Sequence, residues 1–565
     1  RLKEGGEAQI PSPHDHQPVS VLRGKGYAPK DLDWADKNVP CQLACPAGTN
    51  IPEYLNAIYN EDYDRAYRIN LWDNVFPAVL GRVCSRPCED ACRHGWPGLG
   101  EPVAICWSKR SAADHKKSSA VKLDPLFPAS GKKVSVVGAG PAGLAAARQL
   151  ALLGHTVTVY EKHKTPGGMM NQGIPEFRLP RDILQKEIDQ VMACGVRLVC
   201  GQEVGRDIPL DTLLKGNDAL VIAAGTLKPN LLDLPGKELR GIHHGLEFLL
   251  GVNEFGRREI GRRVIVIGGG FTAMDCARTA WRLGAKEVRV LYRRSVKEML
   301  ITPGELEELK HEGIPMEFMV SPVEYLAGSD GRVCAVRFIR NELGEPDQSG
   351  RRRPVPVRGS EFDVEADTVL LATGQFADTV WVPEALRLTF LNDKGEVSTR
   401  GMSRTDHDKI FLAGDFSHGA ASLIRAIGHA KRTAQMVDRV LTGKDRLRDL
   451  VVVSDAEATG RIREMDEVPR MEMPAIDVKA RQLTNEVETG FTKALATDET
   501  QRCYLCHYKY EIDHDKCIYC ELCIKAKPRP NCILKIKELV RDQKGRTKDF
   551  VIAKNTEETK FIYIN

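Results

Sequence analysis

Two stretches of the chain carry the same hydrophobic pattern. Residues 132–154, KKVSVVGAGPAGLAAARQLALLG, run from a short apolar strand through a glycine turn into a helix-spaced apolar stretch that Gly154 closes. From Arg262, RRVIVIGGGFTAMDCARTAWRLGA repeats the sequence of strand, turn and helix. A pattern of this kind predicts α/β structure built on parallel sheets. A further strand is expected over 368–373 (TVLLAT) and a helix near 420–440, both read as a return to the first unit, so that the second unit is inserted into it. Upstream, IPEYLNAIYNEDYDRAYRI has helical spacing, whereas residues 446–498 carry charges and prolines without sustained periodicity and read as a linker. The expected organisation is an extended arm over 1–40, a helical domain over 41–128, a first nucleotide unit over 129–251 and 366–445, a second over 252–365, the linker, and a small cysteine-rich domain over 499–565.

The glycine turns carry chemistry. Gly138-x-Gly140-x-x-Gly143, with Pro141 and Ala142 inside it, lets backbone approach a pyrophosphate at a helix N-terminus. The next strand, TVTVY, leads to Glu161 and Lys162, and an acid here can accept from a ribose hydroxyl. The second turn, Gly268-x-Gly270-x-x-Ala273 with Phe271 and Thr272, is followed by a strand ending in Arg293, Arg294 and Ser295. Arginines in place of the acid favour a 2′-phosphate, hence NADP(H), while two solvated arginines beside an NAD(H) site remain the alternative. Two Rossmann-like units, one inside the other, imply FAD in the first and a nicotinamide in the second. KIFLAGDFSHG places Gly414 and Asp415 between a strand and a helix, with Ala421 and Ser422 at that helix's start, facing the flavin. Ala224 and Gly225 are assigned to the FAD site, and Thr373 and Gly374 to the NAD(P) site.

Composition adds mainly exclusions. Net charge is +4 with interspersed signs, no apolar run is long enough for a bilayer span, and no export signal is visible. Nucleic-acid and membrane partners are therefore not expected, and a cytoplasmic, reducing location is. Arg1 in place of Met implies that residues precede the sequence. Sixteen cysteines then argue for metal sites over disulfides. Cys41, Cys45, Cys84, Cys88 and Cys92 form one set; Cys503, Cys506, Cys517, Cys520, Cys523 and Cys532 form another. Cys517-x2-Cys520-x2-Cys523 matches the bacterial ferredoxin run, with Lys527 where its fourth cysteine would precede Pro528. Its fourth ligand is Cys532 or lies outside the sequence. Cys503-x2-Cys506 is read either as part of a second cluster completed beyond Asn565, which makes the ferredoxin-like α+β domain a truncated one, or as a zinc pair with His507 or His514.

PGGMMNQGIPEFRLPRDIL (166–184), GGGFTAMDCARTAWRLGA, YRRS and CQLACPAG…GRVCSRPCEDACR resemble the small (beta) subunit of glutamate synthase and its relatives over about residues 38–445. The resemblance implies a nicotinamide:acceptor oxidoreductase with FAD and 4Fe–4S clusters, in which Gly167, Gly168, Gly173, Ile174 and Pro175 line the isoalloxazine; Met169 and Arg178 are assigned to the FAD site with them. Many relatives carry a C-x2-C ahead of the position of Cys41, where this chain has Asp36 and Lys37. One N-terminal cluster is therefore expected, held by Cys45, Cys84 and Cys88 with Cys41 or Cys92, while Cys106 falls where relatives use a carboxylate or amide. Disulfide reductases are the fold competitor, but no cysteine pair follows Gly168 and Cys276 stands alone. The appended C-terminal cysteine domain most resembles the DsrL-like proteins of sulfur metabolism, which implies dissimilatory sulfite reductase as redox partner, in either direction of electron flow. A glutamate synthase subunit feeding a glutamine-dependent large subunit is the alternative, and a zinc module the remaining one; a homodimer is left open.

Overall fold

In the computed structural model of this 565-residue chain, the described residues are 38–118, 121, 123–347, 349–393, 395–398, 403–447, 465, 467–508, 512, 516–526, 533–541 and 547–564. Most of the expected arm, His514, Lys527, Pro528 and Cys532 lie outside them.

The two repeated patterns each build a five-stranded sheet. In the first, strand order is Ile410–Leu412, Ala219–Ile222, Lys133–Val137, Thr156–Glu161, Arg197–Cys200, all parallel. The central strands are apolar on both faces, with Val134, Val136, Leu220 and Val221 buried, because helices cover both sides of a parallel sheet. Helix Pro141–Leu152 follows the first glycine turn and packs along Leu423–Thr442.

The second sheet runs Ile242–His244, Thr368–Leu371, Arg263–Ile267, Glu287–Tyr292, Met316–Phe318, again parallel. This corrects one expectation. The strand at 368–371 belongs to the second unit, pairing Val369 with Ile265 and with Ile242, and does not return to the first. A run such as TVLL, buried at every position, fits the middle of either sheet, so its pattern holds no information about which one it enters. Residues 242–251, expected in the first unit, likewise belong to the second, in the strand Ile242–His244 and the helix Gly245–Asn253. An antiparallel layer from Val320 to Glu365 packs Val336 and Phe338 on Ile265 and Leu291. The fold class is the expected one, α/β with two Rossmann-like sheets and an N-terminal helical domain.

That helical domain, with helices Ile51–Tyr59, Tyr63–Asn74, Pro77–Val83 and Ile105–His115, shares one hydrophobic core with the first sheet. Glu187 of helix Arg181–Met192 accepts from the N–H groups of Ala78 and Val79 at 2.7 and 2.9 Å and from the Tyr67 hydroxyl at 3.1 Å. It satisfies orphan donors at the start of Pro77–Val83 from another domain. Burial nevertheless pushes its carboxyl up to about 7.

The segment expected as a linker is, where described, a strap. Val487 donates to the Phe177 carbonyl, Glu486 pairs with Arg82 and Arg110, and Arg481 reaches Glu308 and Glu312 at 2.7 Å. Its contacts are scattered backbone groups and charged side chains that join ion pairs of different domains, so no periodicity marks them. Glu312, with a fully buried side chain, takes bonds from Arg278, Arg282 and Arg481. Burial alone would raise its carboxyl, but Arg282 and Arg278 hold it down at about 2. Because that value lies below the ordinary one, the stabilisation is present above about pH 4.5 and is lost as pH falls towards 2. Glu312→Gln is expected to cost about 3–5 kcal/mol, leaving uncompensated buried guanidinium groups. Denaturant midpoints at pH 7 and near pH 3 check it: the gap between wild type and variant shrinks at the lower pH.

The C-terminal part forms a three-stranded antiparallel sheet, with Ile533–Arg541 between Thr547–Ile552 and Phe561–Ile564, beside the short helix Leu522–Lys525. No helix among the described residues is long and apolar enough to cross a membrane.

Candidate functional site

A cleft of about 720 Å³ opens where the two sheets face each other. From the first unit it is lined by Gly138, Gly140, Pro141, Ala142, Glu161, Lys162, Gly168, Met169, Gly173, Ile174, Arg178, Ala224, Gly225, Asp415, Ala421 and Ser422. Gly143 and Gly414 are not in its wall; they permit close approach behind it. A Cβ on Gly143 would stand 1.8 Å from the Gly138 carbonyl oxygen, and one on Gly414 2.4 Å from the Ala142 Cβ. Gly168 has φ 52° and ψ −130°, and a Cβ there would meet the Gly140 Cα at 2.7 Å. Two backbone segments thus touch, leaving room for a flat ligand beside them.

The acids of this half differ in role. Both oxygens of Glu161 already accept main-chain N–H groups, from Ala139 at 2.8 Å and His163 at 2.9 Å, so the residue fixes the turn and offers a ribose only its remaining lone pairs. Asp415 carries a buried Oδ1 without a hydrogen-bond partner, and burial pushes its carboxyl up to about 6 against the Ala421 N–H and Arg425. An orphaned buried acceptor in the wall of a cleft is what a hydroxyl-bearing chain such as ribityl satisfies. Helix Leu423–Thr442 begins at Ser422 with no side-chain cap, so its positive end faces the cleft. The described residues therefore fit FAD.

The second unit contributes Gly270, Phe271, Thr272 and Gly374 to the same cleft. Gly268 fits tightly, since a Cβ there would lie 2.4 Å from the Ala372 carbonyl oxygen, and Ala273 is fully buried in the helix behind. Thr373 donates to the Asn230 carbonyl at 2.6 Å, and Ser295 forms a capping box with Glu298. Arg294 is buried and engaged with the Arg352 carbonyl and Asp347, whereas Arg293 is exposed. Identical neighbours in YRRS, in the bend after strand Glu287–Tyr292, thus have opposite fates, which composition does not reveal. Arg178 crosses the seam between units, pairing with Asp275 at 2.6 Å and with Glu305. Asp275, missed in the sequence, lines the cleft too, and burial raises its carboxyl to about 6 against Arg178. Its partner lies 97 positions away, so no local signal marks it. No cysteine is among the described residues lining the cleft.

Val83 and Ser85, on either side of Cys84, enter the cleft wall from the helical domain. Cys84, Cys106, Cys88 and Cys45 surround the buried ammonium of Lys109 and raise its proton affinity against burial. The Cys106 thiol, pushed up to about 11 by burial, donates to the carbonyls of Leu80 and Gly81 at 3.1 and 3.4 Å. Burial pushes the Cys41 thiol well up, and its charged neighbours are Cys506, Cys503 and Cys92. Cys45, Cys84, Cys88 and Cys106 thus share one neighbourhood around Lys109, with Cys106 in the place expected for Cys41 or Cys92, and Cys41 shares another with Cys92, Cys503 and Cys506. Cys517 and Cys523 are half-buried and Cys520 exposed, around helix Leu522–Lys525. Among the described residues no three His, Cys, Asp or Glu side chains are grouped to hold a single ion. In a cubane each thiolate binds its own iron, so the four sulfurs stand wider apart.

Comparison with known proteins agrees with this architecture. The pyridine nucleotide-disulphide oxidoreductase family matches residues 132–434, and the dihydropyrimidine dehydrogenase domain II, 4Fe-4S cluster family matches residues 35–121. The beta subunit of NADPH-Fe(3+) oxidoreductase from Geobacter sulfurreducens is 36% identical over 83% of this chain and 75% of its own length. The beta subunit of NADP(+)-dependent formate dehydrogenase from Moorella thermoacetica is 37% identical over 83% and 70%. The glutamate synthase (NADPH) small chain of Escherichia coli is 32% identical over 74% of this chain and 92% of its own. Among solved structures, Mycobacterium tuberculosis FprA in complex with NADPH superposes with a TM-score of 0.50 over 57% of this chain and 87% of that one; at 19% identity it shows the fold alone. The chain belongs to the pyridine nucleotide-disulphide oxidoreductase family, among the glutamate synthase small-subunit-like FAD and iron–sulfur proteins, and is an NAD(P)H-dependent oxidoreductase with 4Fe–4S cofactors.

Proposed function

We propose that this protein exchanges a hydride between NADP(H) on the second unit and FAD on the first, and passes electrons singly through iron–sulfur clusters to or from dissimilatory sulfite reductase. The observation that carries the reading is the single cleft shared by both glycine turns, with the residues flanking Cys84 in its wall. When bound, FAD supplies the exchange between two-electron and one-electron chemistry. The protein's part is positioning. Gly138, Gly140 and the N-terminus of Pro141–Leu152 take the pyrophosphate, Asp415 the ribityl hydroxyls, and the start of Leu423–Thr442 the electron-rich end of the isoalloxazine. Gly270, Phe271 and Thr272 present the second helix start to the nicotinamide dinucleotide. Cys45, Cys84, Cys88 and Cys106 hold the cluster next to the cleft, and Cys517, Cys520 and Cys523 hold the outermost one. The appended cysteine domain supports sulfite reductase as partner. The E. coli relative favours a second reading, in which the electrons serve a glutamine-dependent large subunit.

Anaerobic addition of NADPH tests the proposal: flavin and cluster absorbance bleach together, then recover on adding oxidised dissimilatory sulfite reductase. No bleaching overturns the hydride step, and recovery only with a glutamate synthase large subunit overturns the partner. Of the two arginines after the strand, Arg293 is the exposed one and the candidate for a 2′-phosphate. Arg293→Ala is expected to raise the KM for NADPH about ten-fold, or ~1.4 kcal/mol, with that for NADH unchanged. Equal effects on both coenzymes would remove the phosphate role.

A further inference from the structure

We infer that Cys503 and Cys506 complete, with Cys41 and Cys92, a second 4Fe–4S cluster inside the N-terminal helical domain. The inference deepens the reading above, since it adds a relay between the cluster beside the flavin and the outermost one. Its sequence basis is a deficit and a surplus: two N-terminal cysteines are left over once Cys45, Cys84, Cys88 and Cys106 are grouped, and one C-x2-C pair lies far downstream. Its structural basis is that the pair does not stay with the C-terminal domain.

Helix Lys493–Gln501 docks on the helical domain, where Glu499, fully buried, accepts from the N–H groups of Ala104 and Met471, each at 2.6 Å. Arg502 then donates to the Glu101 and Pro102 carbonyls and lies 3.3 Å from His94 Nδ1, two residues past Cys92. The ring of Tyr504 sits 4.8 Å from that of His94. On the far side of the pair, His507 Nε2 meets Glu53 at 3.2 Å, so this ring is engaged by the helix Ile51–Tyr59. The cysteines are thus clamped from both flanks into the N-terminal core, which counts Cys41, Cys92, Cys503 and Leu505 among its buried members.

Between the two cysteines, Leu505 is fully buried at φ 50°. A branched side chain holds that conformation only where the surroundings over-determine it. The turn aims the Leu505 N–H at Cys503 Sγ, 3.4 Å away, a contact that orients the sulfur as an outer-shell donor orients a metal ligand. Four cysteines, two from each end of the chain, satisfy the ligand count of one cubane, and ligation releases their protons. A pair donated from downstream also does what an upstream C-x2-C would do, which is why residues 36 and 37 need no cysteine.

The test counts iron, labile sulfide and FAD in the full chain and records the EPR spectrum after dithionite reduction. Neither readout depends on NADPH or on a partner, so the proposed function can fail separately. Cys503→Ala with Cys506→Ala, and Cys41→Ala alone, are each expected to lose about four irons per FAD and the same EPR component. Their combination loses no more than either, and Cys45→Ala loses a different component. Full iron in the Cys503/Cys506 variant overturns the inference. So does loss of the component that Cys517→Ala removes, or one zinc per wild-type chain that this variant abolishes. Should the variant not fold, chelation of the wild-type chain with cysteine alkylation decides: Cys41, Cys92, Cys503 and Cys506 become reactive together. Reaction of Cys503 and Cys506 in the cluster-loaded chain, with Cys41 and Cys92 protected, overturns it equally.

Discussion

Gly168→Ala is expected to purify without flavin. The residue occupies φ 52°, ψ −130°, a region open to glycine and closed to side chains, at a cost of about 1–3 kcal/mol for any other residue. The new Cβ also strikes the Gly140 Cα at 2.7 Å, and that atom is backbone in the pyrophosphate turn, with no rotamer to relieve it. Either the 166–169 loop or the glycine turn must move, and both line the cleft. Strain and displacement together weaken flavin binding by on the order of 10–100-fold. The ratio of flavin absorbance to protein reads this directly, and iron content serves as control, because the cysteine groups lie in a separate domain. Retention of stoichiometric flavin would show that the two glycines are not the flavin's wall.

Cys84→Ala is expected to separate the two halves of the reaction. Its neighbours Val83 and Ser85 face the cleft while its own side chain is buried among Cys45, Cys88 and Cys106. Removing it takes away the cluster nearest the flavin and leaves the nucleotide sites intact. NADPH should still bleach the flavin, and a two-electron dye should still be reduced at a rate within about two-fold of wild type. Transfer to a one-electron protein acceptor should fall by more than about 100-fold, beyond the loss that changing an outer-shell partner of a metal site produces. Parallel loss of both rates would mean that Cys84 only supports the cleft wall.

Much of this protein can be read from local pattern. Strand, glycine turn and helix repeat within some twenty residues at 132 and again at 262, and both sheets form where those patterns stand. Gly138, Gly140, Gly270 and Asp415 reach the cleft for the same reason: the chemistry of a nucleotide turn is carried by consecutive residues. The family resemblance placed Gly168, Gly173 and Ile174 there on equally local motifs. Where pairing is distant, local pattern is silent. The strand at 368–371 is apolar on both faces and suited either sheet, and the strap over 476–488 holds three domains by single charges. Arg293 and Arg294 are identical neighbours past a strand end, and only the folded surroundings bury one and expose the other.

The cysteines draw the same boundary most sharply. Spacing alone marks Cys503-x2-Cys506 as a ligand pair and leaves Cys41 and Cys92 as alternatives for one place beside Cys45, Cys84 and Cys88, because spacing is a property of neighbouring residues. Which set Cys503 and Cys506 lie beside is a matter of chain return across some four hundred positions, where Glu499, Arg502 and His507 dock on Ala104, Glu101 and Glu53. Those bonds join residues with no sequence relation to one another, so the grouping exists only once the chain has folded back on its own beginning.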